Sequence, residues 1–229
     1  MGMDNARLFA VMAQCFGPTS QADWEQTIHT DAWQSFIARV RLLLQSAETW
    51  GGSDAPAAQV HRSVPLQEFM SEKEVDALFV PPTFSEKQTF AARHFTGGLP
   101  QSAVPVESLY VEWTADAARG PFAKQKGLYT ADTALYMRDL IASYGLSLPE
   151  HLAAYPDHLS LELDMVSFLL EAGKPDEARQ LFLERAAWLT AYRMKLVALG
   201  DDALFYLAVV DALLGVRAVQ EAFAAQRAS

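Results

Sequence analysis

Apolar positions recur at helical spacing along most of the chain. Trp33, Phe36, Ile37, Val40 and Leu44 fall at i, i+3, i+4, i+7 and i+11. They form one stripe and predict a long helix from Gln21 to Ser46. Gly51 and Gly52 end it, and the segment to Pro65 reads as a loop. Ser71 with Glu74, and Thr83 with Glu86, have capping-box spacing. The first pair predicts a short helix through Phe79, stopped by Pro81 and Pro82; the second predicts a helix through Phe95. Thr130 is expected to cap a segment running to Tyr144, which Gly145 terminates. Pro156 suits the first turn of a helix to about Ala172, with Gly173 just past its end. Pro175 opens another through Trp188 or beyond, and a last helix covers Asp201 to about Ala225. No alternating strand pattern flanked by hairpin turns is present. The pattern predicts an all-α chain, a single globular bundle of about nine or ten helices. Gly173 to Trp188 also resembles half of a tetratricopeptide repeat, but no second copy follows, so ordinary helix-pair packing explains it.

The stretch Thr96 to Arg119 breaks the rhythm. It holds Gly97, Gly98, Pro100 and Pro105, and its apolar residues have no clean period. It reads as a long ordered loop, 96–119, with a short helix around Ser108 to Trp113. Being rich in apolar residues it is expected to pack, and long loops of this kind in compact domains are commonly functional. The organisation that follows is an N-terminal helical lobe (1–119), a connection (120–129) and a C-terminal helical lobe (130–229), together one compact unit. Gly120 to Gly127 is a candidate hinge, so a monomer or a domain-swapped homodimer is expected.

Composition sharpens this. The 229 residues are 51% hydrophobic and 20% charged, enough apolar material for a sizeable core. The net charge of −10 disfavours nucleic-acid phosphate and anionic membrane surfaces as partners. The lone Cys15 allows no internal disulfide, fits a reducing compartment, and lies in the apolar stretch Leu8 to Phe16, where packing is the expected role. No basic n-region opens the chain and no apolar run approaches 18 residues, so neither a signal peptide nor an integral membrane segment is expected.

Catalytic constellations with specific spacing are absent. There is no GxGxxG, no GxxxxGK[ST] and no HExxH. Of the five histidines only His151 and His158 are near neighbours, seven residues apart with Pro156 between them, so no metal site is expected. Ser108 lacks the frame of a nucleophile elbow. Glu107, Glu112, Glu162 and Asp164 could supply paired carboxylates, but among 28 acidic residues a solvated face is the simpler reading. No cofactor and no enzymatic activity are expected.

Two segments carry more information: Val104-Pro-Val-Glu-Ser-Leu-Tyr110 and Tyr155-Pro-Asp-His-Leu-Ser-Leu-Glu-Leu163. Together they resemble the TorD/DmsD/NarJ family of redox-enzyme maturation chaperones, in which a Pro-x-Glu-Ser-x-Tyr loop precedes a Pro-Asp-His motif opening an apolar helix with a Glu-Leu pair. Arg93 to Gly97 looks like the family's Leu-Phe-x-Gly element, with His94 where leucine is usual. Val106 stands where members often carry an aromatic residue. The resemblance implies a cytoplasmic chaperone of a molybdenum-cofactor oxidoreductase. It would bind the N-terminal, twin-arginine signal peptide of the catalytic-subunit precursor, or else the N-terminus of a non-exported nitrate-reductase-like subunit. A helical enzyme with a site of scattered carboxylates is the alternative from another class.

A twin-arginine peptide joins a basic region to an apolar one, so its receptor needs an apolar groove with acidic groups at one end. Phe95, Leu99, Pro105, Val106, Ser108, Tyr110, Tyr155, Pro156 and His158 are the expected peptide-binding residues, with Glu107, Glu112 and Asp157 as partners for guanidinium groups. Glu162 and Trp113 are expected to brace the site. Asp157 has a second reading as a helix cap, His158 as a core histidine, and Glu107 and Ser108 as groups that hold loop amides.

Overall fold

In the computed structural model of the chain, residues 3–31, 33–38, 77–99 and 101–228 are described. Among them the fold is all-helical. Eight α-helices have defined bounds: α1 (Met3–Phe16), α2 (Gln21–His29), α3 (Phe84–His94), α4 (Asp132–Ser143), α5 (Leu159–Glu171), α6 (Pro175–Arg185), α7 (Leu189–Val197) and α8 (Leu204–Ala228). Single turns of 3-10 helix join several of them. No helix among the described residues is long and apolar enough to cross a membrane.

The expected helix ends are found where a cap enforces them. Thr83 N–H donates to Glu86 Oε2 (2.8 Å) and Glu86 N–H donates to Thr83 Oγ1 (3.3 Å), completing the capping box of α3. Gly145 (φ +71°) and Gly173 (φ +74°) close α4 and α5 in the left-handed conformation. There Leu146 N–H reaches back to Ile141 O and Lys174 N–H to Leu169 O. Pro175 opens α6 at its first turn.

Other boundaries differ. The stripe starting at Trp33 does not extend one helix from Gln21: α2 stops at His29, because Thr30 is extended (φ −100°, ψ 169°), and helix resumes at Asp31, continuing over 33–38. Val40, Leu44, the Gly51–Gly52 stop and the Ser71–Glu74 pair lie outside the described residues. Thr130 does not cap α4. It takes a left-handed backbone (φ +58°), its hydroxyl turns to Tyr129 O, and Ala131 is the capping residue with no side-chain bond. The helix expected at Pro156 starts three residues later, at Leu159, with His158 as its cap. Within loop 96–119 the expected helix shortens to one 3-10 turn, Glu107–Leu109.

The core runs as one cluster from Leu8 to Val216. Its axis is α5, apolar almost all round, with nine of its 13 residues buried. Helix α1 lies along it: Ser167 Oγ donates to Ala6 O across the pair (2.9 Å), and Phe9 meets Phe182 of α6 edge to face (5.2 Å). Cys15 is buried here and its thiol, pushed up to about 12 by burial, stays protonated. At Gly17 the two helices approach so closely that a Cβ would stand 3.0 Å from Ser160 Cβ. That contact carries the end of α1, Phe16 to Pro18, to the edge of the site.

Candidate functional site

Loop 96–119 and the Pro-Asp-His segment are stitched together. Val106 and His158 form an isolated antiparallel bridge. Glu107 N–H donates to Asp157 O (3.0 Å), and Leu159 N–H donates to Pro105 O (2.9 Å). Side chains complete the seam. Asp157 Oδ2 accepts from Ser108 N–H (2.7 Å), from the Ser108 hydroxyl, and from Thr133 Oγ1 (3.2 Å). Ser108 Oγ in turn accepts from Ala131 N–H (3.3 Å), where α4 begins. Asp157 is 1% exposed and Ser108 0%, so the centre of this knot is internal, with Thr133 half-buried at its edge. The cap of α5 falls to His158 instead: its Nδ1 accepts from Ser160 N–H (3.2 Å).

A second knot lies beneath the loop. Buried Glu107 pairs with Arg185 of α6 (3.3 Å), whose guanidinium sits 5.0 Å from the centre of the Tyr136 ring. Glu162 of α5 lies against Glu107 and accepts from Trp188 Nε1 (3.2 Å). Burial, and then the neighbouring Glu107, hold the Glu162 carboxyl well above the usual carboxylate range. Its Oε1 receives no hydrogen bond. That is the oxygen expected to carry the proton, which it can then offer to Glu107. Burial raises Glu107 as well, opposed chiefly by Arg185. Tyr110 stacks on Trp188 (5.2 Å) and donates to Val104 O (3.0 Å). Glu162 thus braces the loop from within, and Tyr110 is wedged between Trp188 and Tyr192.

Outside these knots runs a groove of about 670 Å³. One side is the end of α1 with α3 (Phe16, Phe84, Ala91, Phe95); the other is Val104, Val106, Leu152, Tyr129 and Tyr155. Tyr129 and Tyr155 lie ring to ring at 5.1 Å, half-open to solvent. The polar lining is Thr19, Lys87, Gln88, Thr96, His151 and His158. Lys87 Nζ donates to Gly17 O (2.6 Å), tying α3 to the end of α1.

The expected residues therefore divide. Phe95, Val106, Tyr155 and His158 line the groove. Pro105, Glu107, Ser108, Pro156, Asp157 and Glu162 are buried and hold the loop. Leu99 is exposed on the loop surface, outside the groove lining. Trp113 supports the start of α4 through its carbonyl, which accepts from Asp132 N–H (3.0 Å). Glu112 pairs with Lys124 on the surface (2.6 Å). None of the acidic residues expected to meet guanidinium groups borders the groove, and in this conformation Glu107 and Asp157 spend their oxygens on internal donors. Phe16, Phe84, Lys87 and Tyr129 had no sequence signal as site residues, because their meeting depends on how α1 and α3 pack. Among the described residues no cluster of His, Cys, Asp and Glu has the makings of a metal site.

The family described as nitrate reductase delta subunit matches residues 66–196, more than half of the chain and including both motif segments. No curated protein and no solved structure matches. With the Pro-x-Glu-Ser-x-Tyr loop bridged to the Pro-Asp-His helix start as described, the chain belongs to the nitrate reductase delta subunit family, the NarJ/TorD-type chaperones of molybdoenzyme maturation.

Proposed function

We propose that this chaperone acts in the cytoplasm without catalysing a reaction. It holds the N-terminal segment of a molybdoenzyme catalytic-subunit precursor in the groove beside Val106 and His158 until the cofactor is inserted. The observation that carries this is the groove itself: about 670 Å³, apolar on both walls, formed where the two family motifs meet. Its size lies within the range of about 300–1,000 Å³ typical of ligand sites. An amphipathic helix laid into such a groove buries apolar side chains without needing any catalytic group.

Two client classes compete. A twin-arginine signal peptide would place its apolar stretch in the groove and its arginines beyond it, because the described lining contains no Asp or Glu. The net charge of −10 would still favour encounter with such a peptide. The same lining, and the description of the matching family, favour the N-terminus of a non-exported nitrate-reductase-like subunit. Titration with synthetic N-terminal peptides of the host's molybdoenzymes, followed by fluorescence of the five tryptophans, tests the proposal. Saturable binding lost on replacing the apolar stretch supports it, and dependence on an arginine pair identifies an exported client. No binding to any of them refutes it. The connection 120–129 is proposed as a hinge for domain swapping, which a strictly monomeric mass at high concentration would refute.

A further inference from the structure

The charge of the groove's polar lining is one-sided: it holds Lys87, His151 and His158 beside neutral Thr and Gln groups, with no carboxylate among the described lining residues. Lys87 is 5% exposed, yet among the described residues its ammonium meets a neutral carbonyl, Gly17 O at 2.6 Å, and the face of Trp24 at 5.4 Å. Burial pushes it below its ordinary range, opposed only by the buried Cys15 thiol, and no carboxylate among the described residues acts to raise it. A buried cation without a counter-charge is costly, and proteins normally pair it. His158 is 6% exposed. Because its Nδ1 accepts from Ser160 N–H, its Nε2 carries the hydrogen, and that N–H donates to no group among the described residues while the ring borders the groove. Lys87 and His151 both bear on the His158 ring, each disfavouring its protonated form after burial itself. Among the described residues, a cation without a carboxylate partner and an imidazole N–H without an acceptor thus share one apolar groove.

We propose that Lys87 and His158, with His151 beside them, form a carboxylate subsite that receives one acidic side chain of the bound client segment. The inference rests on the groove being the client site. The recognised segment is then an apolar run carrying a single Asp or Glu, neither uniformly apolar nor basic. A free inorganic anion fits less well. It would leave the apolar walls uncovered. Apolar side chains flanking the carboxylate supply the burial that carries it in.

The test uses the full chain and a set of capped, helix-forming apolar peptides, identical except for one scanned position bearing Glu, Gln or Lys. Tryptophan fluorescence reads the affinity. At one position the Glu peptide is expected to bind about tenfold or more tighter than Gln, and Lys weaker than either, as for a charge-assisted hydrogen bond. In Lys87→Met the Glu preference disappears while the Gln peptide still binds. Equal affinities for Glu and Gln at every position overturn the subsite and leave the groove reading intact. A Glu preference undiminished in Lys87→Met also overturns it. Failure of all peptides overturns the groove reading and the subsite together. A Lys87-dependent response to acetate alone, with no peptide preference, assigns the site to a free anion and overturns the peptide-borne carboxylate. The Glu–Gln comparison is made on the unaltered protein, so it holds even if Lys87→Met does not fold.

Discussion

Asp157 is the single side chain on which the loop seam depends most, and Asp157→Ala measures how much. One carboxylate oxygen accepts from Ser108 N–H, the Ser108 hydroxyl and Thr133 Oγ1. Hydrogen bonds to a charged partner contribute about 1.5–3 kcal/mol each, and stranding the buried Ser108 N–H costs about 1–3 kcal/mol. Thr133 is half-buried and water can satisfy it, so a net loss of about 3–5 kcal/mol is expected, a large share of the roughly 5–15 kcal/mol that holds a typical domain. Asp157→Asn keeps an accepting oxygen but not the charge, and is expected to lose about 1–2 kcal/mol. Urea unfolding followed by tryptophan fluorescence reads both, as a lowered midpoint with unchanged slope. Trypsin cleavage at exposed Arg119 and Lys124 is expected to accelerate in parallel as the loop loosens. Asp157→Ala unfolding within about 0.5 kcal/mol of the parent would refute the reasoning. So would peptide affinity collapsing while stability and cleavage stayed unchanged, because that outcome makes Asp157 a contact residue and not a loop anchor.

Two buried groups give pH dependences of opposite sign. His158 is depressed from the ordinary 6.5 to about 4 by burial, then by Lys87 and His151. Below about pH 6.5 the unfolded chain takes up a proton that the folded one refuses, so stability falls with pH by up to about 3 kcal/mol across that interval. His158→Asn keeps a helix cap and is expected to flatten this decline in melts between pH 6.5 and 4. Glu162 is raised, so above about pH 4.5 the unfolded chain releases a proton that the folded one keeps, and stability falls as pH rises. Glu162→Gln retains an acceptor for Trp188 and removes the titration; it is expected to match the parent within about 1 kcal/mol near pH 4.5 and to outlast it in alkaline melts. Gly17→Val drives a side chain against Ser160 and is expected to cost about 1–3 kcal/mol in thermal unfolding. An unshifted melting temperature would show that the end of α1 has room to move.

The local rules of the chain were readable from the sequence. The Thr83–Glu86 box, the Gly145 and Gly173 stops and Pro175 set helix ends through contacts within a few residues, and they stand where the spacing placed them. The motif segments also carried the family. What the sequence could not give was the direction each polar side chain takes. An acidic residue at a helix start reads equally as a cap or a contact. Only the packing of loop 96–119 against α4 and α5 turned Asp157 inward to Ser108 and left His158 to cap α5. Thr130, a plausible cap by type, was forced into a left-handed turn. The groove was decided later still. Phe16, Lys87, Val106 and Tyr129 come from four separate stretches and meet because Gly17 lets α1 close on α5, while Lys87 ties α3 to that end. Periodicity and caps are short-range and therefore written in sequence, whereas a cavity is the space left between elements and exists only once they pack.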